Sequence, residues 1–238
     1  MILCVPSFGK EKEYGILDQK NKELDRSYRH LQEEYNALKN KYEELSQKQG
    51  KNDEEYAKRF PFKGIIFDLK KKNPKTNIKE FIEIKTPTDD NTQKYDPYDL
   101  FEYDGAKINN CYYHNLNKLE KNTDNWIDFN FLKTKFKLFG FSIRTSCFGQ
   151  SFSHPKVFQI KGSNDEKKWD DIYQVEDSVD QFLNGSCLAH TYVFDKKEIA
   201  YKYIRFLQTD AHFQYKDRFG IIALSAIEFF GEEDTQSS

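Results

Sequence analysis

The sequence predicts a mainly β chain: a sandwich of short antiparallel strands preceded by a long N-terminal coiled-coil helix. Two observations carry that prediction. Leucine recurs at every seventh position from Leu17 to Leu45, and from Ile127 onward the apolar period drops to two. The first rhythm belongs to a supercoiled helix and the second to half-buried strands.

The helix comes first in the chain. Leu17, Leu24, Leu31, Leu38 and Leu45 occupy the d positions of a heptad, with Tyr14, Asn21, Tyr28, Tyr35 and Tyr42 at a. No proline interrupts the run, and its only glycine, Gly15, lies in the first turn. About 32 residues rising about 1.5 Å each make a rod of about 48 Å. A buried Asn21 suits a parallel two-stranded register, and Lys20 with Asp25 and Glu34 with Lys39 are complementary across such a pair. Glu13 facing Asp18 and the bulk of tyrosine at a oppose it. A homodimer is the expected arrangement. A foreign helix as partner and packing of the helix on its own domain stay open.

The expected organisation is a lead over 1–13, the coiled coil over 14–47, a linker over 48–59 and a β-domain over 60–233. A polar tail, 234–238, follows. Gln47 to Arg59 is polar, carries charges of both signs and contains Gly50 as a break, so it reads as a short linker or a frayed helix end. Inside the β-domain Ile127, Phe129 and Phe131 alternate with Asp128 and Asn130. Phe139, Phe141 and Ile143 alternate with Gly140, Ser142 and Arg144. Phe158 and Ile160, then Ile204 and Phe206, repeat the pattern, and Ala223 to Phe230 forms a last run closing on Gly231. Such strands, separated by Gly, Asn, Asp and Ser, read as a sandwich or barrel. The exception is Gly64 to Lys72, where Ile65, Ile66 and Leu69 suit a short helix before Pro74.

Composition narrows the function classes. The net charge of −2, from 37 basic and 39 acidic residues, lacks the cationic surplus that phosphate neutralisation needs, so no nucleic-acid partner is expected. No apolar run reaches bilayer length. Met1 to Pro6 lacks a basic stretch and a small-residue cleavage site, so no secretory signal is expected. Cys4, Cys111, Cys147 and Cys187 are widely spaced without a C-x-x-C pair. Reduced thiols, no structural zinc and a cytoplasmic setting are the resulting expectations.

Several strands carry a recognisable wording. NWIDFNF (Asn125 to Phe131) precedes FKLFGFSIRTS (Phe136 to Ser146) and HPKVFQIKGSNDEKKWDDI (His154 to Ile172). YKYIRFLQTD (Tyr201 to Asp210) and IIALSAIEFFG (Ile221 to Gly231) complete the series. The series resembles the discoidin, or coagulation factor V/VIII type C, domain, a galactose-binding-like jelly roll, and looks closest to its intracellular protist branch. Gly162 to Asp165 supplies turn chemistry between two strands. Trp169 is expected to open the return strand and pack across the hairpin, and Arg205 to stack or form an ion pair. One departure stands out: secreted members tie their first and last strands with a disulfide, whereas Phe60 to Phe62 and Phe229 to Gly231 have no cysteine nearby.

The resemblance implies that loops at one end of the sandwich meet the ligand: Asp89 to Tyr103, Tyr112 to Asn117, Thr145 to His154 and Asp210 to Arg218. The candidate ligand-binding residues are Tyr113, His114, Arg144, Phe148, Phe152, His154, His212, Phe213 and Tyr215. Aromatic faces beside Arg and Asn suit a sugar, and equally a peptide. Asp89, Asp90, Asp96, Asp99 and Asp104 lack EF-hand spacing and read as a solvated acidic loop, so no metal and no cofactor are expected. There is no G-x-S-x-G, H-E-x-x-H or Gly-rich phosphate loop, and a Cys147–His154 nucleophile–base pair is no more than a coincidence of spacing. The expected function is a non-catalytic adaptor, two heads on a coiled-coil dimer presented to a protein ligand. A carbohydrate-binding, lectin-like module is the alternative.

Overall fold

The computed structural model describes residues 8–87, 96–103, 112–115, 125–147, 154–176, 182–210 and 221–234. The chain divides into two units, Met1–Asn52 and Asp53–Ser238.

The first unit is helical. Helix α1 runs Phe8–Arg59 and passes Gly50 without a break, so of the linker or frayed helix end expected over Gln47 to Arg59 it is helix that forms. The physical reason is local. Gln, Lys, Glu, Ala and Arg around Gly50 are good helix formers, and one interior glycine costs only about 1 kcal/mol. Lys58 and Arg59 also answer the negative end of the helix. In the second unit the last turn is fixed by packing: Ala57 is buried, and the Tyr56 and Phe60 rings lie 5.1 Å apart. On the first unit the heptad stripe is bare. Leu24, Tyr28, Leu31, Tyr35 and Leu38 are each 64–69% exposed.

The second unit is a two-sheet sandwich. Its strands are β1 (Ile82–Lys85), β2 (Tyr112–Asn115), β3 (Asn125–Phe131), β4 (Phe136–Thr145), β5 (Phe158–Ser163), β6 (Asp170–Val175), β7 (Ala189–Val193), β8 (Tyr203–Gln208) and β9 (Ile221–Glu233). One sheet has the order β1-β3-β8-β5-β6 and the other β2-β9-β4-β7, with every pairing antiparallel. The inner faces meet in a phenylalanine core. Phe129, Phe131, Phe141, Phe158, Phe206 and Phe229 are all buried. Several meet edge-on, as aromatic quadrupoles prefer: Phe129 and Phe229 lie 5.2 Å apart at 71°, and Phe141 and Phe158 6.2 Å apart at 76°.

One alternation fails. A register shift between Leu138 and Gly140 in the β4–β9 pairing places Leu138, rather than Phe139, in the core with Phe141 and Ile143. Phe139 turns to the other face and packs near Phe230, 6.2 Å away. A bulge inserts one residue and flips the pattern before it.

The β5–β6 turn forms as its residues require. Asp165 Oδ1 accepts from Lys167 N and Lys168 N at 2.8 and 2.9 Å, and Ser163 Oγ accepts from Glu166 N at 3.0 Å. These bonds, with Lys168 and Lys167 first, hold the Asp165 carboxyl below its usual range. The positive φ falls on Glu166, at 59°, rather than on Gly162 or Asn164. Gly162 serves close approach instead, because a Cβ there would overlap the Tyr201 ring.

Helix α2 (Ile65–Lys72) forms where the sequence predicts it. It explains why β9 is buried on both faces. Ile66 N and Phe67 N each donate to the Glu228 carboxylate at 2.9 Å, so a strand side chain satisfies the open N–H groups of the helix. Gly64 lies so close to the Phe229 carbonyl that a Cβ would overlap it.

Candidate functional site

Antiparallel register fixes which connections share an end of the sandwich. Asn125, the first residue of β3, pairs with Gln208, the last of β8; Gln208 also faces Phe158 of β5, which faces Val175 of β6. In the other sheet Thr145 faces Leu224 and Asn115 faces Ile221. The chain crosses from β4 to β5, so both sets of strand ends lie at one end. Four connections leave from it: 116–124, 146–157, 176–188 and 209–220. Two of the expected loops, Thr145 to His154 and Asp210 to Arg218, belong here.

The described part of this end is held by its own bonds. Cys147 and Cys187 form a disulfide, with Cα atoms 4.5 Å apart. Beside it Thr145 Oγ1 donates to Gly185 O at 2.6 Å and accepts from Leu188 N at 2.9 Å, and Ser186 Oγ donates to Ser146 O at 2.9 Å. The expectation that all four cysteines are reduced thiols therefore falls. So does the argument from cysteine usage to a cytoplasmic setting. The reason was hidden by 40 residues of separation: β4 and β7 pair through Arg144 and Ala189, which brings the flanking cysteines together. The bond also removes Cys147 as a thiolate. Cys4 and Cys111 lie outside the described residues.

The same connection carries an aromatic pair that the sequence reading missed. Phe182 is 58% exposed, and its ring lies flat on His190 of β7, with centroids 3.8 Å apart and planes at 2°. His190 in turn meets Tyr192 edge-on at 4.6 Å, and Tyr192 stacks on core Phe141 at 4.9 Å. The exposed ring thus stands on a column that reaches the core. Alternation along β7 could have hinted at it, since His190 shares the inward face with Tyr192.

The sequence-predicted residues fare differently from one another. Phe148, Phe152, His212, Phe213 and Tyr215 lie outside the described residues. Tyr113 and His114 sit on strand β2, paired with Ala223 and Ile222, so Tyr112–Asn115 is sheet rather than loop; their side chains lie outside the described part. His154 is 3% exposed and belongs to the interior, so it is not a surface ligand group. Arg144 does not face the loop end. Ile143 beside it points into the core, so Arg144 points to the outer face of β4, donating to Ser225 Oγ at 2.9 Å. There it lies 5.3 Å from the Phe62 ring, and burial holds its pKa below the ordinary arginine value. Of the Asp89 to Tyr103 stretch, Tyr98 Oη donates to Ile82 O at 3.1 Å while Leu100 and Phe101 fill the core, so the described part supports β1. Asp96 caps a short 3-10 turn by accepting from Tyr98 N at 3.0 Å. Asp89, Asp90 and Asp104 lie outside the described residues.

Two further clusters are charged. On the outer face of the β3–β8 sheet, Arg205 donates to both oxygens of Asp128 at 2.6 and 2.7 Å. Its guanidinium lies 4.0 Å from the centroid of Trp169 and 4.5 Å from that of Trp126. Arg205 is thus both a stacking and an ion-pair residue, and Trp169, one residue before β6, lies against this β8 side chain. Burial raises the Asp128 pKa, and the hydrogen bonds from Arg205 only partly offset it. On the opposite sheet Glu228 is fully buried. Burial pushes its carboxyl up to about 7 against N–H bonds from Ile66, Phe67, Phe229 and Gly64. Tyr103, donating to Ile227 O at 2.9 Å, is raised by burial and then by Glu228. Among the described residues no group of three or more His, Cys, Asp or Glu is placed to hold a metal ion. No described helix is long and apolar enough to cross a membrane.

No protein-family model and no curated protein matches the chain. Solved structures do. The C-terminal domain of a chitobiase from Bacteroides fragilis is similar with a TM-score of 0.48 at 15% identity, over 66% of this chain and 97% of that one. The family 32 carbohydrate-binding module of NanJ from Clostridium perfringens, in complex with galactose, is similar with a TM-score of 0.44 at 12% identity, over 62% and 92%. A fucolectin from striped bass (Morone saxatilis) serum gives 0.45 at 10%, over 66% and 49%.

Proposed function

We propose that the β-domain is a discoidin-type, non-catalytic carbohydrate-binding module whose ligand site is the end from which 116–124, 146–157, 176–188 and 209–220 leave. The observation that carries this reading is Phe182, an exposed ring seated on His190 beside the Cys147–Cys187 bond. The C–H face of a sugar is apolar and stacks on an aromatic ring, while its hydroxyls need donors and acceptors from surrounding loops. A ring already fixed by a stack and a cross-linked loop loses little freedom when a ligand arrives, so less binding free energy is spent on ordering.

The test is titration of the full chain with galactose and a glycan array, for the wild type and Phe182→Ala. Binding that is saturable in the wild type and at least about tenfold weaker in F182A, with an unchanged melting temperature, supports the reading. Absence of glycan binding, or equal binding by F182A, rejects it.

The second reading concerns the helix, and the exposure of Leu24, Tyr28, Leu31, Tyr35 and Leu38 favours it. Paired through this stripe, α1 makes a homodimer with two binding heads. Linking two weak sites raises the effective concentration of the second and the avidity of the whole. An adaptor for a protein partner uses the same architecture.

A further inference from the structure

The second unit also holds a cavity of about 650 Å³, walled by the Arg59–Lys63 turn, α2 and the Phe101–Tyr103 stretch. A void of this size lies within the roughly 300–1,000 Å³ that small-ligand sites occupy. Its apolar side is aromatic. Phe101 is fully buried behind it, and Phe62 stacks on Tyr103 with centroids 5.1 Å apart. The walls are anchored from beneath: Glu228 holds α2 by its N–H groups, and Tyr103 Oη is bonded to Ile227 O. The shape therefore exists before any ligand enters.

The lining carries four cations, Arg59, Lys63, Lys70 and Lys71, against one carboxylate, Glu102. Lys70 is committed, donating to Phe101 O at 3.0 Å and to Glu102 at 3.2 Å. Arg59 and Lys63 instead lie over the Phe60 ring, 5.4 and 4.7 Å from its centroid. Among the described residues, no carboxylate forms an ion pair with Arg59, Lys63 or Lys71. Cations with no ion-pair partner among the described residues, set around a concave low-dielectric wall, focus a positive potential into the hollow.

We propose that this cavity binds a short acidic peptide of a partner protein. One apolar side chain of the peptide enters beside Phe60, Phe62 and Phe67, and its flanking carboxylates meet Arg59, Lys63 and Lys71. A neutral sugar brings no counter-charge to those cations, whereas an acidic peptide does. Charge complementarity of this kind governs specificity and association rate more than raw affinity, and it weakens with salt. The site uses no residue of the loop end, so it stands or falls separately from the sugar reading.

The test is fluorescence anisotropy of the full chain with labelled short peptides whose centre is Phe, Leu or Ser and whose flanks are all acidic, all Ser or all Lys. The expected result is selective binding of the acidic peptides with Phe or Leu at the centre, weakening as salt rises. Lys63→Glu with Lys71→Glu should weaken it at least about tenfold, while Lys133→Glu, elsewhere on the surface, leaves it unchanged. Phe62→Ala, checked by an unchanged melting curve, should remove the preference for a Phe or Leu centre. Binding that ignores peptide charge, or that survives the Lys63/Lys71 reversal, overturns the proposal. So does capture of phosphatidylserine vesicles in place of peptides.

Discussion

The two units of this chain treat their apolar side chains in opposite ways. On α1, Leu24, Leu31 and Leu38 stand 64–69% exposed at d positions. In the sandwich, Phe129, Phe131, Phe206 and Phe229 are fully buried, and even the carboxylate of Glu228 is closed off from water. In the sandwich, two sheets, a covering helix and a loop disulfide hold an apolar core within one chain. The helix presents its stripe without such an answer among the described residues. Burying one leucine is worth roughly 1.5–3 kcal/mol, so the dimer proposed above would draw on several such burials along this stripe. Exposure thus takes two forms here, a periodic series on α1 and a seated ring on the sandwich. Phe182 stands on the His190 ring, whereas the leucines are exposed as a series at heptad spacing.

That contrast can be broken at several depths. The largest effect should come from the core: Phe129→Ala removes a ring meeting Phe229 and Phe101 and should cost about 3–5 kcal/mol in denaturant melts. A loss below about 1 kcal/mol would show that the sandwich is not the tightly packed unit described here. Opening the Cys147–Cys187 bond, by Ser at both positions, should cost about 2–4 kcal/mol, because it releases a 40-residue closure in the unfolded chain. An unchanged melt would mean that the hydrogen bonds of Thr145 and Ser186 hold the loop end alone.

The pH dependence is the next smaller effect. The folded-state pKa of Glu228 lies above its ordinary 4.5, at about 7. The folded chain therefore binds this proton more tightly than the unfolded chain does. The stability this contributes is fully present below pH 4.5 and is lost as pH rises toward about 7. The total is about 3 kcal/mol, and Asp128, also raised by burial, adds in the same direction. Glu228→Gln should flatten the profile in chemical denaturation across this window. A wild-type profile that is already flat contradicts the assignment. The smallest stability effect belongs to Phe182→Ala, within about 1 kcal/mol, since its exposed ring leaves no cavity behind.

Much of the fold was legible in the sequence, and the exceptions have common causes. Alternation located β3, β5 and β8, the cluster of Ile65, Ile66 and Leu69 located α2, and Arg205 met the ring and carboxylate its place on an outer face suggested. Phe139 was misplaced because a one-residue bulge flips a strand's faces and leaves no mark on composition. Arg144 was assigned to the loops although its parity on β4 sends it to the outer face. The disulfide and the Phe182–His190 stack arise from the pairing of β4 with β7, a contact across 40 or more residues that no local pattern records. The role of Glu228 left no mark in the sequence, because only tertiary structure brings the N–H groups of α2 onto its carboxylate. Helix continuity through Gly50 shows the converse, where local propensity outweighed one weak breaker.

The difference between the two units is tested most directly by light scattering on the full chain beside Leu24→Ser/Leu31→Ser/Leu38→Ser, with thermal melts of both. The account predicts a dimer for the wild type and a monomer for the triple variant, with the sandwich transition of the variant kept. A wild-type chain that stays monomeric at all concentrations, or a triple variant whose sandwich no longer melts cooperatively, would contradict it.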